Sequence, residues 1–244
     1  MPYRSPDQRA VTPQHRGRFP GFDVLDSVHA WDDVTAGVVL NRLAPSAAFA
    51  FFTPEEVAVA GPLLDLLLNQ DTDPRVPVLS LIDARLAAGE TDGWHYDDLP
   101  EDARAWRDTL RFLDNDAQAA HPRRGFAHLV SDEQAALIQA VQDLSTAGDP
   151  WHDWSATHVW SLWTRYACTA FYSHPWAWNE IGFPGPAYPR GYLNPGINTL
   201  EHWEVPDSGT EDSDVDPVQF ADRVEHARRE HARLFGAESV QELS

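Results

Sequence analysis

The sequence predicts a mainly α protein, an irregular helical bundle with long ordered loops and a C-terminal extension. Helix start signals recur along the chain, in which a capping residue is followed by proline or by carboxylates. Apolar residues behind those signals return every three or four positions, the spacing of one helix face. Three prolines between positions 184 and 189 exclude a helix and a central strand there, which predicts an ordered loop.

The first part of the chain is predicted to be less regular than the rest. Residues 1–20 contain several prolines, four arginines and few apolar side chains, so we expect a loose N-terminal arm. The helical domain should cover residues 21–205. Near its start, Val38-Val39-Leu40 fits either a short strand or the last turn of a helix, because periodicity does not separate the two at this length.

The first two clear helices follow local start signals. Thr53 supplies an N-cap, a proline occupies the next position, and Glu56 can reach back to the cap amide. This helix should run over 54–68, where Pro62 can kink it. A second helix should open at a proline, run over 77–86 and end near a glycine.

Two longer helices are predicted next. One covers residues 101–119, where apolar residues such as Trp106 and Leu110 stand at helical spacing. The other begins at a capping box, Ser131-Asp132-Glu133-Gln134, with Ser131 as the N-cap, and runs to about position 144.

Residues 153–172 are apolar nearly all round. A helix without a polar face belongs in the middle of a bundle, so we expect this one to be buried and to end before Pro175. Cys168, the single cysteine, should pack within it as a small apolar side chain. A bridge to a partner chain is the alternative for this residue.

The last 39 residues differ in composition from the domain before them. Residues 206–216 hold five acids, no base and one apolar side chain, which predicts a flexible acidic linker. Residues 217–244 follow, with a helix expected over 217–235. Its apolar residues are few, so this helix is marginal unless it docks.

Charge and missing residue types exclude several classes of function. The chain carries 38 acidic and 18 basic residues, a net charge of −20, and every basic residue is an arginine. Such a body repels phosphate backbones and anionic lipid, so neither nucleic acid nor a membrane surface is an expected partner. Without lysine, Schiff-base chemistry and the P-loop are excluded, and one cysteine excludes an intrachain disulfide.

Cofactor and membrane signals are also missing. The sequence contains neither Gly-x-Gly-x-x-Gly nor Cys-x-x-Cys-His, so we expect no nicotinamide, flavin or haem in this chain. The longest apolar stretch is about ten residues, too short to span a bilayer. No apolar run follows the arginines of residues 1–18, so we expect no signal peptide and a cytoplasmic protein.

The histidines allow two interpretations. His152, Asp153 and His158 form a site near the tryptophans, or Asp153 caps a helix and His158 packs in the core. Asp222 and His226 stand four apart and share a helix face, which fits a ligand pair or a solvated surface.

Six of the ten tryptophans fall between positions 151 and 178. They fit a core, a carbohydrate platform or a protein interface, since tryptophan is enriched in binding hot spots. Trp176 and Trp178 follow the helix break at Pro175, so they are the better interface candidates.

Two neighbouring runs carry a family signature. They read Tyr172-Ser173-His174-Pro175-Trp176-Ala177-Trp178-Asn179-Glu180-Ile181-Gly182-Phe183 and Gly185-Pro186-Ala187-Tyr188-Pro189-Arg190-Gly191-Tyr192. Together they resemble the signature of the gluconate 2-dehydrogenase subunit 3 family. The resemblance covers residues 154–192, and a looser similarity covers residues 51–90.

The resemblance implies a non-catalytic small subunit that binds, stabilises and helps mature an FAD-dependent sugar or alcohol oxidoreductase. The implied partner is a flavoprotein of the glucose-methanol-choline oxidoreductase type, often accompanied by a cytochrome c subunit. FAD would reside in the partner and no cofactor in this chain. Family members often carry a twin-arginine export signal, which this sequence lacks. A cytoplasmic complex is therefore expected, or a periplasmic one if the partner brings its own signal.

The signature supplies the candidates for the partner interface. His174 should also end the buried helix, where it can meet free carbonyls and the helix dipole. The alternative for the loop is that it seals the protein's own core. The seven candidates are His174, Trp176, Trp178, Asn179, Tyr188, Arg190 and Tyr192.

Two other functions stay open from the residues alone. One is a stand-alone enzyme with a metal or acid–base site that uses His158 and His174. The other is a carbohydrate-binding module that uses Trp176 and Trp178.

Overall fold

A computed structural model describes residues 19, 22–43, 48–71, 73, 75–194, 196 and 199–205. The predicted arm, apart from Phe19 of residues 1–20, lies outside the described residues. So do the predicted acidic linker over 206–216 and the predicted helix over 217–235, together with Asp222 and His226.

The described chain is mainly α, as the sequence predicts. A 3-10 helix at Val24–Ala30 precedes the first α-helix, a second lies at Phe126–His128, and two short strands form one antiparallel hairpin before α6. The remaining elements, in chain order, are α1 Asp33–Asn41, α2 Pro54–Leu67, α3 Val78–Ala87, α4 Asp102–Ala120, α5 Ser131–Ala147, β1 Pro150–Trp151, β2 Trp154–Ser155, α6 Ala156–Tyr172 and α7 Pro175–Ile181.

The main core lies among helices α2 to α6. Large side chains from α2, α4 and α6 fill it, and Trp106 meets Tyr166 edge-on with ring centroids 5.7 Å apart. Two polar contacts are buried in this core, while the Trp106 Nε1 has no hydrogen-bond partner among the described residues. Trp163 Nε1 donates to Thr109 Oγ1 at 3.0 Å, and the Tyr166 hydroxyl donates to Asp102 at 2.7 Å. Burial raises the pKa of Tyr166, so this hydroxyl stays protonated as a donor.

Helix α2 confirms the predicted capping box. The Glu56 amide donates to Thr53 Oγ1 at 3.3 Å, and the Thr53 amide donates to the Glu56 carboxylate at 2.9 Å. The helix continues past Pro62 to Leu67. Before it, the buried carboxylate of Asp83 on α3 accepts three successive amide hydrogens from residues 50–52, which fixes the entry to the helix.

Helix α5 begins one residue earlier than the predicted cap requires. Ser131 is already helical, and the N-cap is Val130, whose amide donates to Glu133 at 3.1 Å. The predicted box paired Ser131 with Gln134. Gln134 does not reach back, because its side chain is buried and donates to the Phe126 carbonyl at 2.9 Å.

The start of α6 corrects a second predicted cap. His152 and Asp153 have φ of 50° and 68° and form the turn of the β1–β2 hairpin, so Asp153 caps nothing. Ser155 is the N-cap, and its hydroxyl accepts the His158 amide hydrogen at 3.4 Å.

Helix α6 is not buried on every side. Cys168 is exposed, and so is Tyr172, four residues further along the same face. The predicted burial of Cys168 is therefore wrong. The apolar composition of residues 153–172 hid this face, because alanine, threonine and tyrosine are tolerated on a helix surface as well as in a core.

A second, smaller core joins the N-terminal part of the described chain to α7. It contains Val24, Trp31 and Val39 from residues 22–43 and Trp178 from α7. The ambiguous run 38–40 is helical, within α1, and Asp32 caps that helix by accepting the amides of residues 34 and 35.

Candidate partner-binding surface

The signature segment begins with a helix that the sequence interpretation did not separate from the loop. Trp176 and Trp178 lie in α7, not in an extended segment. Pro175 ends α6 and also opens α7 at N1, where its fixed φ suits a first helical residue. The break at this proline is therefore a corner between two helices.

The side chain of His174 caps α7, and His174 meets the end of α6 through its backbone amide, which donates to the Phe171 carbonyl at 3.1 Å. Its Nδ1 accepts the Trp176 amide hydrogen at 3.2 Å, and the side chain is fully buried. Burial lowers the pKa of His174 to about 4, against a smaller opposing effect of the Arg42 backbone. The neutral ring is the form that can accept this hydrogen bond. The end of α6 is met by Arg42, whose Nη1 donates to the Ser173 carbonyl at 2.8 Å.

Trp178 and Asn179 are used inside the chain. Trp178 is 5% exposed, and its Nε1 donates to the Tyr172 carbonyl at 2.6 Å. Asn179 is 2% exposed, accepts the Val24 amide hydrogen at 2.7 Å and donates to Asp23 at 3.2 Å. Both side chains therefore hold residues 22–43 against α7.

Two signature glycines allow aromatic rings to approach the backbone. Gly182 and Gly185 have φ of +70° and +83°, a region that disfavours residues with a Cβ. A Cβ at Gly182 would lie 2.5 Å from the Phe19 ring, and one at Gly185 would lie 2.3 Å from Trp31. Residues 182–185 of the signature therefore pack closely against the aromatic rings of Phe19 and Trp31.

The segment from 181 to 200 exposes a concentration of large apolar side chains. It holds half of the large hydrophobic residues exposed in the described chain, and we call these six the loop surface. Their exposed fractions are Ile181 50%, Phe183 38%, Tyr188 67%, Tyr192 61%, Leu193 80% and Leu200 53%.

Arg190 and Trp203 support this surface from behind. The Arg190 guanidinium lies 4.0 Å over the Trp203 ring and donates to the Pro186 carbonyl at 3.1 Å. Tyr192 packs on the same ring, with centroids 5.3 Å apart. Burial lowers the pKa of Arg190. Part of the Arg190 guanidinium is therefore already used in contacts within its own loop.

Glu201 is a functional side chain that sequence reasoning missed. It is buried, and its carboxylate accepts the amide hydrogens of Leu193 and Asn194, which closes the loop that carries the loop surface. The local sequence gives no signal for this role, because a glutamate is ordinarily an exposed residue and its partners are the backbone amides of residues 193 and 194.

The two histidines of the enzyme alternative do not meet. His158 lies in the first turn of α6 and His174 follows its last turn, so about 24 Å of helix separates them. His158 is half-buried rather than in the core, stacks on Tyr96 at 3.8 Å and shares a 2.7 Å hydrogen bond with Asp98. Across the described residues, no group of three or more histidine, cysteine or acidic side chains could hold a metal ion.

His152 repeats this arrangement at the hairpin. Its ring stacks on Phe112 with centroids 4.6 Å apart, and its Nε2 shares a 2.7 Å hydrogen bond with Asp116. Asp116 also accepts from Trp151 Nε1 at 2.8 Å. These are pairs that anchor the hairpin to α4.

The carbohydrate alternative finds no open platform at its two tryptophans. Trp178 is buried, and Trp176 is half-buried with its ring 4.8 Å from that of His174. A sugar ring needs a free aromatic face, which Trp178 does not offer.

Comparison with known proteins gives one match. A family model described as gluconate 2-dehydrogenase subunit 3 matches residues 54–185, more than half of the chain. The match includes His174, Trp178 and Asn179 and ends at Gly185, so Tyr188, Arg190 and Tyr192 lie beyond it. No curated protein and no solved structure matches the chain. Within the described part of the chain, no helix is both long and apolar enough to cross a membrane.

Proposed function

Because the chain belongs to the gluconate 2-dehydrogenase subunit 3 family, we propose that it is a non-catalytic small subunit that binds, stabilises and helps mature a flavoprotein. The family description makes it a subunit of a multisubunit dehydrogenase, so an accessory role with a partner follows. The finer proposal is that the partner is an FAD-dependent sugar or alcohol oxidoreductase of the glucose-methanol-choline type. FAD belongs to that partner, and a cytochrome c subunit can complete the complex.

The loop surface is the observation that carries the proposal. Six large apolar side chains exposed within twenty residues exceed the scattered apolar residues of an ordinary surface, and such concentrations mark interaction sites. The frame behind them is fixed by Arg190, Trp203 and Glu201. A rigid aromatic surface loses little conformational entropy when a partner docks, which favours binding.

The seven predicted interface residues divide into three groups in this proposal. Tyr188 and Tyr192 are exposed and can contact a partner directly. His174, Trp178 and Asn179 are buried and can act only by shaping the surface. Trp176 and Arg190 are half-buried and can do both.

We place the complex in the cytoplasm, and an export signal on the partner would place it in the periplasm. Neither location changes the surface that the partner would contact.

Co-expression tests the proposal. The chain is expressed with a flavoprotein of the glucose-methanol-choline type from the same genome, and the affinity tag is on the chain. We expect a yellow complex, and we expect the flavoprotein expressed alone to contain less FAD per polypeptide. The proposal fails if the flavoprotein expressed alone is fully loaded with FAD and does not bind the chain.

A further inference from the structure

A pocket of about 540 Å³ lies beside the C-terminal end of α6. Arg42, Arg85 of α3 and Tyr166 of α6 line it, together with Glu90 and Asp92 from the loop after α3. Its volume lies within the range of sites for small molecules. Eight of its eleven lining residues are polar, and four of these carry hydroxyls: Thr91, Tyr166, Thr169 and Ser173.

Arg42 is a half-buried cation that pairs with no carboxylate among the described residues. Its contacts are the Ser173 carbonyl, which accepts from Nη1 at 2.8 Å, and the Trp178 ring, 5.9 Å from the guanidinium carbon. Most other described arginines form ion pairs, such as Arg75 with Asp65 and Arg107 with Glu56. Burial lowers the pKa of Arg42, and no described carboxylate opposes that effect.

The other charged residues that line the pocket are Arg85, Glu90 and Asp92. Arg85 is held by Asp92 and packs over the Tyr166 ring at 4.8 Å. Asp92 is also paired with Arg165. Glu90 is exposed and lines the pocket, and it forms no ion pair with an arginine of the described chain. The pocket thus offers an unpaired cation at Arg42 and hydrogen-bond acceptors at Glu90 and Asp92.

We propose that this pocket binds a small carboxylate, with the acid group at Arg42 and hydroxyl donors of the same molecule at Glu90 and Asp92. A guanidinium presents five donors, of which one is used on Ser173, so its remaining donors are free for a carboxylate. This assignment is independent of the proposed function, because no residue of the loop surface lines the pocket.

Arg42 has one competing explanation, in which it only satisfies a carbonyl at the end of α6, as arginines near helix C-termini do. That role predicts a loss of stability when Arg42 is replaced and no ligand affinity. Binding by the intact chain therefore separates the two explanations.

Isothermal titration of the full chain at low ionic strength tests the site, with glycerate as the probe. Acetate supplies the carboxylate without hydroxyls, and glycerol supplies hydroxyls without the acid. We expect glycerate to bind, acetate to bind more weakly and glycerol not to bind. Arg42→Gln should weaken glycerate binding at least tenfold, because a charge-assisted hydrogen bond is lost.

Arg75→Gln is the matched control, since Arg75 is an exposed arginine outside this pocket, paired with Asp65. Thr169→Phe keeps Arg42 and its bond to Ser173 but fills the pocket, so it should abolish binding even if Arg42→Gln folds poorly. Absence of binding by both acids to the wild-type chain overturns the proposal. Glycerate binding that survives in the Thr169→Phe chain overturns it too, because the acid then binds elsewhere.

Discussion

His174 is a buried titratable group whose protonation would break a helix cap. Its Nδ1 accepts the Trp176 amide hydrogen, and a protonated ring cannot accept it. Burial lowers its pKa from 6.5 to about 4 in the folded chain, while the unfolded chain keeps the ordinary value. Above the unfolded pKa both states are neutral, and this contribution to stability is complete. As the pH falls, the unfolded chain takes up the proton first, so stability is lost between the two pKa values.

We therefore expect the free energy of unfolding to fall by about 2 kcal/mol from about pH 7 to about pH 5 because of His174 alone. Urea titrations of the wild-type chain and of His174→Asn measure it. Asparagine can cap a helix and does not titrate. The free energy of unfolding of the variant should therefore lack the part of the pH dependence that is due to His174. If the free energy of unfolding depends on pH equally in the two chains, His174 is not a neutral, buried helix cap.

A glycine can be required because the backbone has a positive φ or because a neighbouring side chain leaves no room for a Cβ. Gly185 and Gly191 allow these two effects to be measured separately. Both have positive φ, +83° and +70°, but a Cβ at Gly185 would lie 2.3 Å from Trp31, and one at Gly191 would meet nothing within 4 Å. Alanine at either position should cost about 1 kcal/mol for the left-handed backbone. Gly185→Ala should cost about 1–3 kcal/mol more, because Trp31 must move out of the small core.

Thermal unfolding of both glycine variants checks this difference. Gly191→Ala serves as the control for the backbone effect. If the two variants unfold at the same temperature, Trp31 does not pack against the loop as described.

At the scale of elements, the two capping signals in the sequence make different predictions. Thr53 caps α2 through its hydroxyl, whereas Ser131 is inside α5 and caps nothing. Thr53→Ala should lower the free energy of unfolding by about 1 kcal/mol. Ser131→Ala should change it by less than about 0.5 kcal/mol, as an exposed substitution without a cap does. Urea denaturation measures both, and a larger loss at Ser131 would show that the predicted box forms in solution.

Helix starts were predictable where the signal is complete within one turn. Thr53 and the prolines at positions 54 and 77 act on the backbone next to them, so their effects can be inferred from the local sequence. The capping box predicted at Ser131 is wrong because the Gln134 side chain donates instead to the carbonyl of Phe126, which lies in a preceding element. A competing partner outside the turn is not visible in the turn's own sequence.

The buried faces were less predictable than the helices. Composition showed that residues 153–172 are apolar, but it did not show which side of α6 remains uncovered at Cys168 and Tyr172. That depends on how many neighbours pack against the helix, which is a property of the whole arrangement. Helix α7 was not predicted separately from the loop that follows it, because its short length and its burial also depend on the whole arrangement.

At the scale of the whole molecule, the signature is tied to distant parts of the chain. Asn179 bonds to Val24 across 155 positions, and Arg42 bonds to Ser173 across 131. Single-sequence reasoning found the signature through its composition, and the family it indicated is confirmed. It did not find the contacts of residues 22–43, because pairing over such separations leaves no periodic or local pattern.

This long-range packing changes how the partner interface must be tested. Trp178→Ala would empty part of the small core, and a buried tryptophan truncation costs about 3–5 kcal/mol. A loss of partner binding in that variant would then reflect unfolding. Substitutions at Tyr188 and Tyr192 avoid the problem, because both side chains are exposed.

The combined variant Tyr188→Ser and Tyr192→Ser should therefore keep its melting temperature and lose partner binding. Aromatic anchors at an interface commonly cost about 2 kcal/mol or more each when removed, so the affinity should fall at least thirtyfold. The control is Val34→Ser with Val38→Ser, which removes two apolar side chains exposed by 74% and 52% on α1. That pair also removes exposed apolar surface but lies outside the loop surface. Surface plasmon resonance with the purified flavoprotein measures both. If both pairs weaken binding equally, exposed apolar area in general drives the association, and the loop surface is not its centre.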